Sequence, residues 1–323
     1  MTNASAESWF QGKKVMISGG AGFLGSWLSE ELLRLGAHVT AVDDLSTGTQ
    51  ENIREALSNP RFRLVEADAA EVDASGYDYL IHLASIPSPD DYVRRPVKTA
   101  LSNALGLLNF LKAGPRVLYA SSSEVYGDPQ VIPTPETYWG NVNPVGPRSP
   151  YDESKRFGEA LCVAFAKERG VSVRIARIHN TYGPRMDATG RYARAIPNFI
   201  NQALSGEPLT VYGDGSQTRS FTYVTDMIDG LVRLMLSDYS GPVNLGSERE
   251  VSVLELAKTI IRLTGSSSGI KFLPPFPDDP RRRRPDISLA KRVLGWEPRV
   301  GLEEGLAKTI DYFRKAREER SRG

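Results

Sequence analysis

Residues 14–25 read KVMISGGAGFLG, and this stretch decides the fold. A short apolar run, KVMIS, leads straight into Gly19, Gly22 and Gly25, and an amphipathic segment follows from Phe23 to Leu35. Strand, glycine turn and helix in that order place backbone amides at a helix N-terminus, where they can approach a pyrophosphate. Gly19, Gly22, Phe23, Leu24 and Gly25 are the expected cofactor-binding residues of this turn, because glycine is needed where a Cβ would collide.

Further runs follow at HVTAVD (38–43), FRLVEAD (62–68), YDYLIHLA (77–84), RVLYASS (116–122) and VSVRIARI (171–178), with amphipathic segments between them. Strands that alternate with helical segments need crossover connections, which predicts an α/β fold with a Rossmann-type doubly wound parallel sheet. Ligands should then meet the carboxyl ends of the strands. From about residue 185 the pattern turns to mixed helices and short strands with Pro- and Gly-rich joints. The expected organisation is a Rossmann domain over residues 1–184 and a smaller mixed α/β substrate-binding region over 185–323. The stretches 222–236 and 243–246 are candidates to return to the main sheet, and the charged tail RKAREERSRG is expected to fray.

The next strand addresses the cofactor. HVTAVD ends at Asp43, 18 residues past Gly25, where a carboxylate can accept hydrogen bonds from the adenosine ribose hydroxyls and repel a 2′-phosphate. NAD is therefore expected rather than NADP, with Asp68, which ends the following strand, placed towards the adenine. Tyr151 and Lys155 lie four residues apart in PYDESK, on one face of a helix starting near Pro150. An ammonium and a nicotinamide cation beside a phenol would stabilise the phenolate as a base, and ASSS upstream offers a hydroxyl to complete the site.

The bulk properties bound the partners. A formal net charge of +1 over 323 residues argues against a nucleic-acid-binding surface. One cysteine, Cys162, and three histidines make a metal cage improbable, and no metal is assigned. Nothing approaches the roughly 18 apolar residues of a membrane span, so no membrane partner and a cytoplasmic location are expected.

With these residues in place, the chain resembles the extended short-chain dehydrogenase/reductases over nearly its whole length. SSEVYGDP (122–129), YWGNVNP (138–144), NTYGPRM (180–186) and DDPRRRRPDI (278–287) resemble the group within that family that decarboxylates UDP-glucuronate. The resemblance implies an NAD-dependent conversion of UDP-glucuronate to UDP-xylose. It makes Ser122, Glu124, Tyr151 and Lys155 the expected catalytic residues. Ser122 would bind the C4 hydroxyl, Tyr151 would remove its proton, Lys155 would hold the nicotinamide ribose, and Glu124 would orient a water or act as acid/base near C5. It further implies that Arg219 grips the diphosphate, Arg283 lies near the sugar carboxylate, Asn180 meets the diphosphate or sugar, Val211 and Tyr212 border the uracil, partly through backbone groups, and Tyr92 neighbours the carboxylate. Ser123 stands where related dehydratases carry an aspartate acid, which disfavours dehydration. His179 and Ile86 depart from the pattern, His179 being expected as a packed, hydrogen-bonded core residue. Helices near 97–111 and 151–167 correspond to the pair through which the family forms homodimers. Rival readings are UDP-glucuronate 4-epimerase or another NDP-sugar epimerase, UDP-apiose synthase and, in a different class, a non-catalytic NAD-sensing protein.

Overall fold

A computed structural model describes residues 3–187, 194–275 and 278–322. Seven parallel strands form the central sheet. Six arrive early: β1 (Lys14–Ser18), β2 (His38–Asp43), β3 (Phe62–Glu66), β4 (Tyr79–His82), β5 (Arg116–Ser122) and β6 (Ser172–Ile178). The seventh, Pro242–Leu245, comes from far down the chain and pairs with β6. The order across the sheet is seventh, β6, β5, β4, β1, β2, β3, so the winding direction reverses between β1 and β4. A crevice opens at such a point, outside the carboxyl ends of the strands.

The inner strands are largely apolar on both faces because both faces are covered. In β1, Val15 and Ile17 join one core with Leu28 and Leu32 of the Phe23–Arg34 helix and with Met227 and Leu231 of the Val224–Leu236 helix. Met16, between them, points to the other core, with Leu107, Phe110 and Leu111 of the Pro96–Ala113 helix and Cys162 of the Ser149–Arg169 helix. The period-2 alternation of strand side chains thus serves two hydrophobic layers. Each fully buried aliphatic side chain contributes about 1.5–3 kcal/mol, which is why Cys162, with its thiol pushed up by burial, reads as packing.

Beyond β6 the chain builds the second region from short elements. The strands Leu209–Tyr212 and Ile270–Leu273 pair with each other, and Thr218–Ser220 sits between Glu250–Ser252 and Arg282–Arg283. Of the stretch 222–236, Val224–Leu236 is a helix packed over the main sheet while Thr222–Tyr223 pairs with Thr181–Tyr182 in a separate two-stranded sheet, and of the stretch 243–246 residues 243–245 lie in the edge strand Pro242–Leu245. As far as Arg322 the charged tail is helical. It continues the Leu302–Arg322 helix, where Arg317 donates to the Ser205 hydroxyl at 2.7 Å and the apolar side of the helix, with Phe313 buried, anchors it. A run of charges on one face of a helix is compatible with order when the opposite face is packed.

Candidate active site

A single cavity of about 1180 Å³ spans the crevice, lined by residues at the ends of six strands, Gly19, Asp43, Asp68, Leu83, Ser122 and Asn180 among them. The glycine turn is as tight as its sequence requires. Gly19 has φ +72°, and a Cβ there would lie 2.8 Å from the Ala84 amide; at Gly25 it would lie 2.0 Å from the Gly19 carbonyl oxygen. Gly22 caps the Phe23–Arg34 helix with no side-chain hydrogen bond, and Phe23 and Leu24 line the cavity. These residues fit a dinucleotide diphosphate.

Asp43 ends β2 and is buried, its Oδ2 accepting from the Ala21 amide (3.0 Å) and Oδ1 from the Leu45 amide (2.9 Å). Burial raises its carboxyl against these two bonds. A Cβ on Gly48 would lie 2.8 Å from both carboxylate oxygens, so the loop after β2 leaves room around this group only as glycine. Asp68 is exposed at the cavity margin and caps its own turn through the Ala70 amide at 2.9 Å.

The catalytic helix begins at Ser149 and places Tyr151 and Lys155 one turn apart, both buried. Lys155 Nζ donates to the Ala120 carbonyl at 2.8 Å and lies 5.7 Å from the centre of the Tyr151 ring. Burial lowers the ammonium to about 7. Burial also raises the Tyr151 phenol, outweighing its hydrogen bond with Ser122. Sequence reading gave the stabilisation of the phenolate to this ammonium and a nicotinamide cation together; among the protein's own groups, burial is the larger effect on the phenol. Ser122, at the end of β5, also accepts the Glu124 amide at 3.2 Å and so starts the turn that aims Glu124 into the cavity.

Glu124 is met there by two guanidiniums. Arg283 contacts both its oxygens, Nη1 to Oε1 and Nη2 to Oε2 at 2.8 Å each, and Arg148 donates at 2.7 Å. Burial alone would push this carboxyl up; Arg148 and Arg283 overcome it and hold it well below the usual carboxylate range. Arg219 pairs with Asp279 at 2.7 Å, and Arg148 lies 3.8 Å from the same carboxylate. Strand pairing puts Arg283 in register with Arg219. Three guanidiniums thus face two carboxylates, Glu124 largely buried and Asp279 partly exposed, leaving excess positive charge where an anionic ligand would sit.

A match to the NAD dependent epimerase/dehydratase family extends over residues 15–246. The chain belongs to this family. Among its relatives, UDP-glucuronic acid decarboxylase 1 of Xenopus tropicalis is 51% identical over 307 residues, covering 94% of this chain and 72% of the relative. UDP-glucuronic acid decarboxylase 3 of Arabidopsis thaliana is 49% identical, covering 93% and 89%. Of solved structures, UDP-glucose 4-epimerase of Thermotoga maritima with UDP-glucose superposes with a TM-score of 0.87 at 32% identity, covering 94% of this chain and 99% of that one. UDP-glucuronic acid 4-epimerase of Bacillus cereus in complex with UDP-glucuronic acid and NAD gives 0.82 at 29%, again covering 94% and 99%.

Within this epimerase/dehydratase scaffold most of the expected residues converge on the cavity. Tyr92 is buried, stacks on Tyr151 with ring centres 5.4 Å apart, and lies under Arg148. Asn180, Tyr212 and Arg219 line the wall, and the Asn180 Nδ2 is buried without a hydrogen-bond partner. Val211 does not join them. Alternation along Leu209–Tyr212 turns Thr210 and Tyr212 to the cavity and buries the Val211 side chain in the core, so any contact it makes with a ligand is through backbone. Of the four consecutive arginines, Arg281 and Arg282 are exposed and Arg283 is buried. His179 is buried, its Nε2 3.3 Å from the Asn244 Oδ1, and burial pushes the imidazole down to about 3. Sequence reading missed Arg148 and Asp279. A signal for Arg148 existed: three residues before Tyr151, it stands on the same side of the helix start.

Proposed function

We propose that the chain converts UDP-glucuronate to UDP-xylose, with oxidation at C4, loss of the C6 carboxylate as carbon dioxide, protonation at C5 and re-reduction at C4. The observation that carries this reading is the meeting, in one cavity, of the Ser122–Tyr151–Lys155 group with an arginine-clamped carboxylate, Glu124. The decarboxylases at about half identity over nearly all of this chain support it.

NAD, held by the glycine turn and by Asp43, supplies the hydride acceptor and later the hydride donor for C4. Tyr151 takes the C4 hydroxyl proton. The resulting ketone is β to the carboxylate, so the C5–C6 bond breaks with its electron pair delocalised onto the C4 oxygen, where the Tyr151 and Ser122 hydroxyls donate hydrogen bonds. A proton then adds at C5. Glu124, kept ionised by its arginines, serves better as an acceptor orienting a water than as the acid itself. Arg219 and the Arg283 side of the cluster offer planar donors to the diphosphate and to the sugar carboxylate, while Tyr92, Asn180, Tyr212 and the Val211 backbone complete the sugar-nucleotide wall and Asp68 the adenine end.

The protein is proposed to act as a cytoplasmic homodimer; no described helix is long and apolar enough to cross a membrane. Val97, Leu101 and Leu105, exposed at 45–70%, form one stripe on the Pro96–Ala113 helix, and Phe157 and Val163 are exposed on the adjoining Ser149–Arg169 helix. An apolar face of this kind favours a second copy.

The test is incubation with UDP-glucuronate and catalytic NAD, followed by mass spectrometry and NMR of the nucleotide sugars. Loss of carbon dioxide with UDP-xylose as product supports the reading. An unchanged mass with conversion to UDP-galacturonate replaces it by 4-epimerisation, and a branched pentose by apiose formation.

A further inference from the structure

Behind the cavity wall, and outside its lining, stands a fully buried asparagine that the reaction scheme does not use. Asn244 lies on the seventh strand, Pro242–Leu245. Its Nδ2 donates at 3.0 Å to two carbonyls, those of Thr134 and Asp286. Its Oδ1 accepts from the Tyr126 hydroxyl at 2.7 Å, and its own amide donates to Glu136 Oε1 at 2.8 Å.

The two carbonyls belong to segments already laced together. The Thr134 amide donates to the Arg284 carbonyl and the Asp286 amide to the Thr134 carbonyl, each at 2.9 Å. One residue before this bracket stands Arg283, whose carbonyl accepts from the buried Ser220 hydroxyl at 3.2 Å. Arg283 is therefore held from both sides: by Ser220 and the Arg219 pairing on one flank, by the Thr134 bracket and Asn244 on the other. Only the second flank reaches the main sheet, and it carries Ser122 and Glu124 on β5 and the turn after it.

We propose that Asn244 is a positioning residue: its carboxamide registers the Arg283-bearing segment against the Rossmann sheet, so that the guanidinium faces the sugar carboxylate and Glu124 at a fixed distance. A side-chain amide suits the task because it donates two hydrogen bonds and accepts at its oxygen without bringing charge into the core. An aspartate of the same shape would aim a carboxylate at two carbonyls. The role in substrate recognition rests on the decarboxylase reading; the clip itself does not.

Two measurements separate these. Hydrogen exchange at the Thr134 and Asp286 amides needs no substrate, and it should be at least about tenfold faster in Asn244→Asp than in the native chain, an opening change of the size that a lost buried hydrogen bond produces. The KM for UDP-glucuronate should rise at least about tenfold, while the Kd for UDP, which has no sugar carboxylate, stays within about twofold. If Asn244→Asp does not fold, Ser220→Ala, which frees the Arg283 carbonyl from the opposite flank, is read in the same assays and should give the same split in smaller measure. Unchanged exchange, or a loss of UDP affinity equal to the loss for UDP-glucuronate, overturns the proposal and leaves Asn244 as a core residue. Failure of the native chain to turn over UDP-glucuronate would sink the decarboxylase reading, with the exchange result still deciding the clip.

Discussion

Tyr151 and Asp152 are neighbours on one helical turn, and both are buried, yet chemistry asks opposite things of them. Replacing Tyr151 by Phe removes only a hydroxyl, so NAD content should survive while turnover falls by roughly 10²–10⁴-fold, the span of a lost general base; bound NAD by chromatography and single-turnover kinetics check it. Asp152 has a buried Oδ1 without a hydrogen-bond partner, and burial followed by the nearby Glu124 raises its carboxyl far above the ordinary range. A group raised on folding contributes stability that is fully present below its unfolded pKa and is lost as pH rises through the folded one. Asp152→Asn keeps the shape and does not titrate. Its melting temperature should therefore decline less than that of the native chain between mildly acid and alkaline pH, and an identical decline would show that some other group carries the slope. Such roles were legible in the sequence only where spacing gave them away. Tyr151 and Lys155 announced themselves by a four-residue interval, whereas Asp279 meets Arg219 across 60 residues, an encounter that no local pattern encodes.

At the level of elements, the glycine turn is both the most readable feature and the least forgiving. Gly25→Ala would thrust a methyl to 2.0 Å from a backbone oxygen that has no rotamer by which to escape. The expected outcome is a destabilisation of roughly 1–3 kcal/mol with loss of NAD affinity, measured by thermal melting and by NAD titration; unaltered NAD affinity would remove the turn from the cofactor site. The parallel strands were equally legible, because being covered on both faces writes continuous apolar runs into them. The small strands of the second region were not, since two- and three-residue pairings such as Arg282–Arg283 with Thr218–Arg219 follow from tertiary packing and leave no periodicity. The charged tail shows the converse: its composition suggested fraying, and with an apolar side packed it is helical as far as Arg322.

Across the whole molecule, the two exposed helices give the oligomer a direct test. Leu101→Glu places a charge in the middle of the Val97–Leu101–Leu105 stripe, on a face that no described residue covers. Light scattering should then find a monomer in place of the proposed dimer, with NAD binding retained; a native chain that is itself monomeric would refute the interface. The return of the chain at Pro242–Leu245 carries a further consequence, one of timing. During synthesis β6 emerges long before its outer neighbour, so for the length of the intervening segment it is an open sheet edge able to pair with other chains. A fragment ending near residue 184 would keep the whole glycine turn and every expected catalytic side chain, and would still expose that edge permanently. Such a fragment should aggregate rather than serve as a miniature cofactor-binding module, so the order in which the ribosome delivers the strands, and not only their final places, constrains how this protein can be cut, fused or permuted.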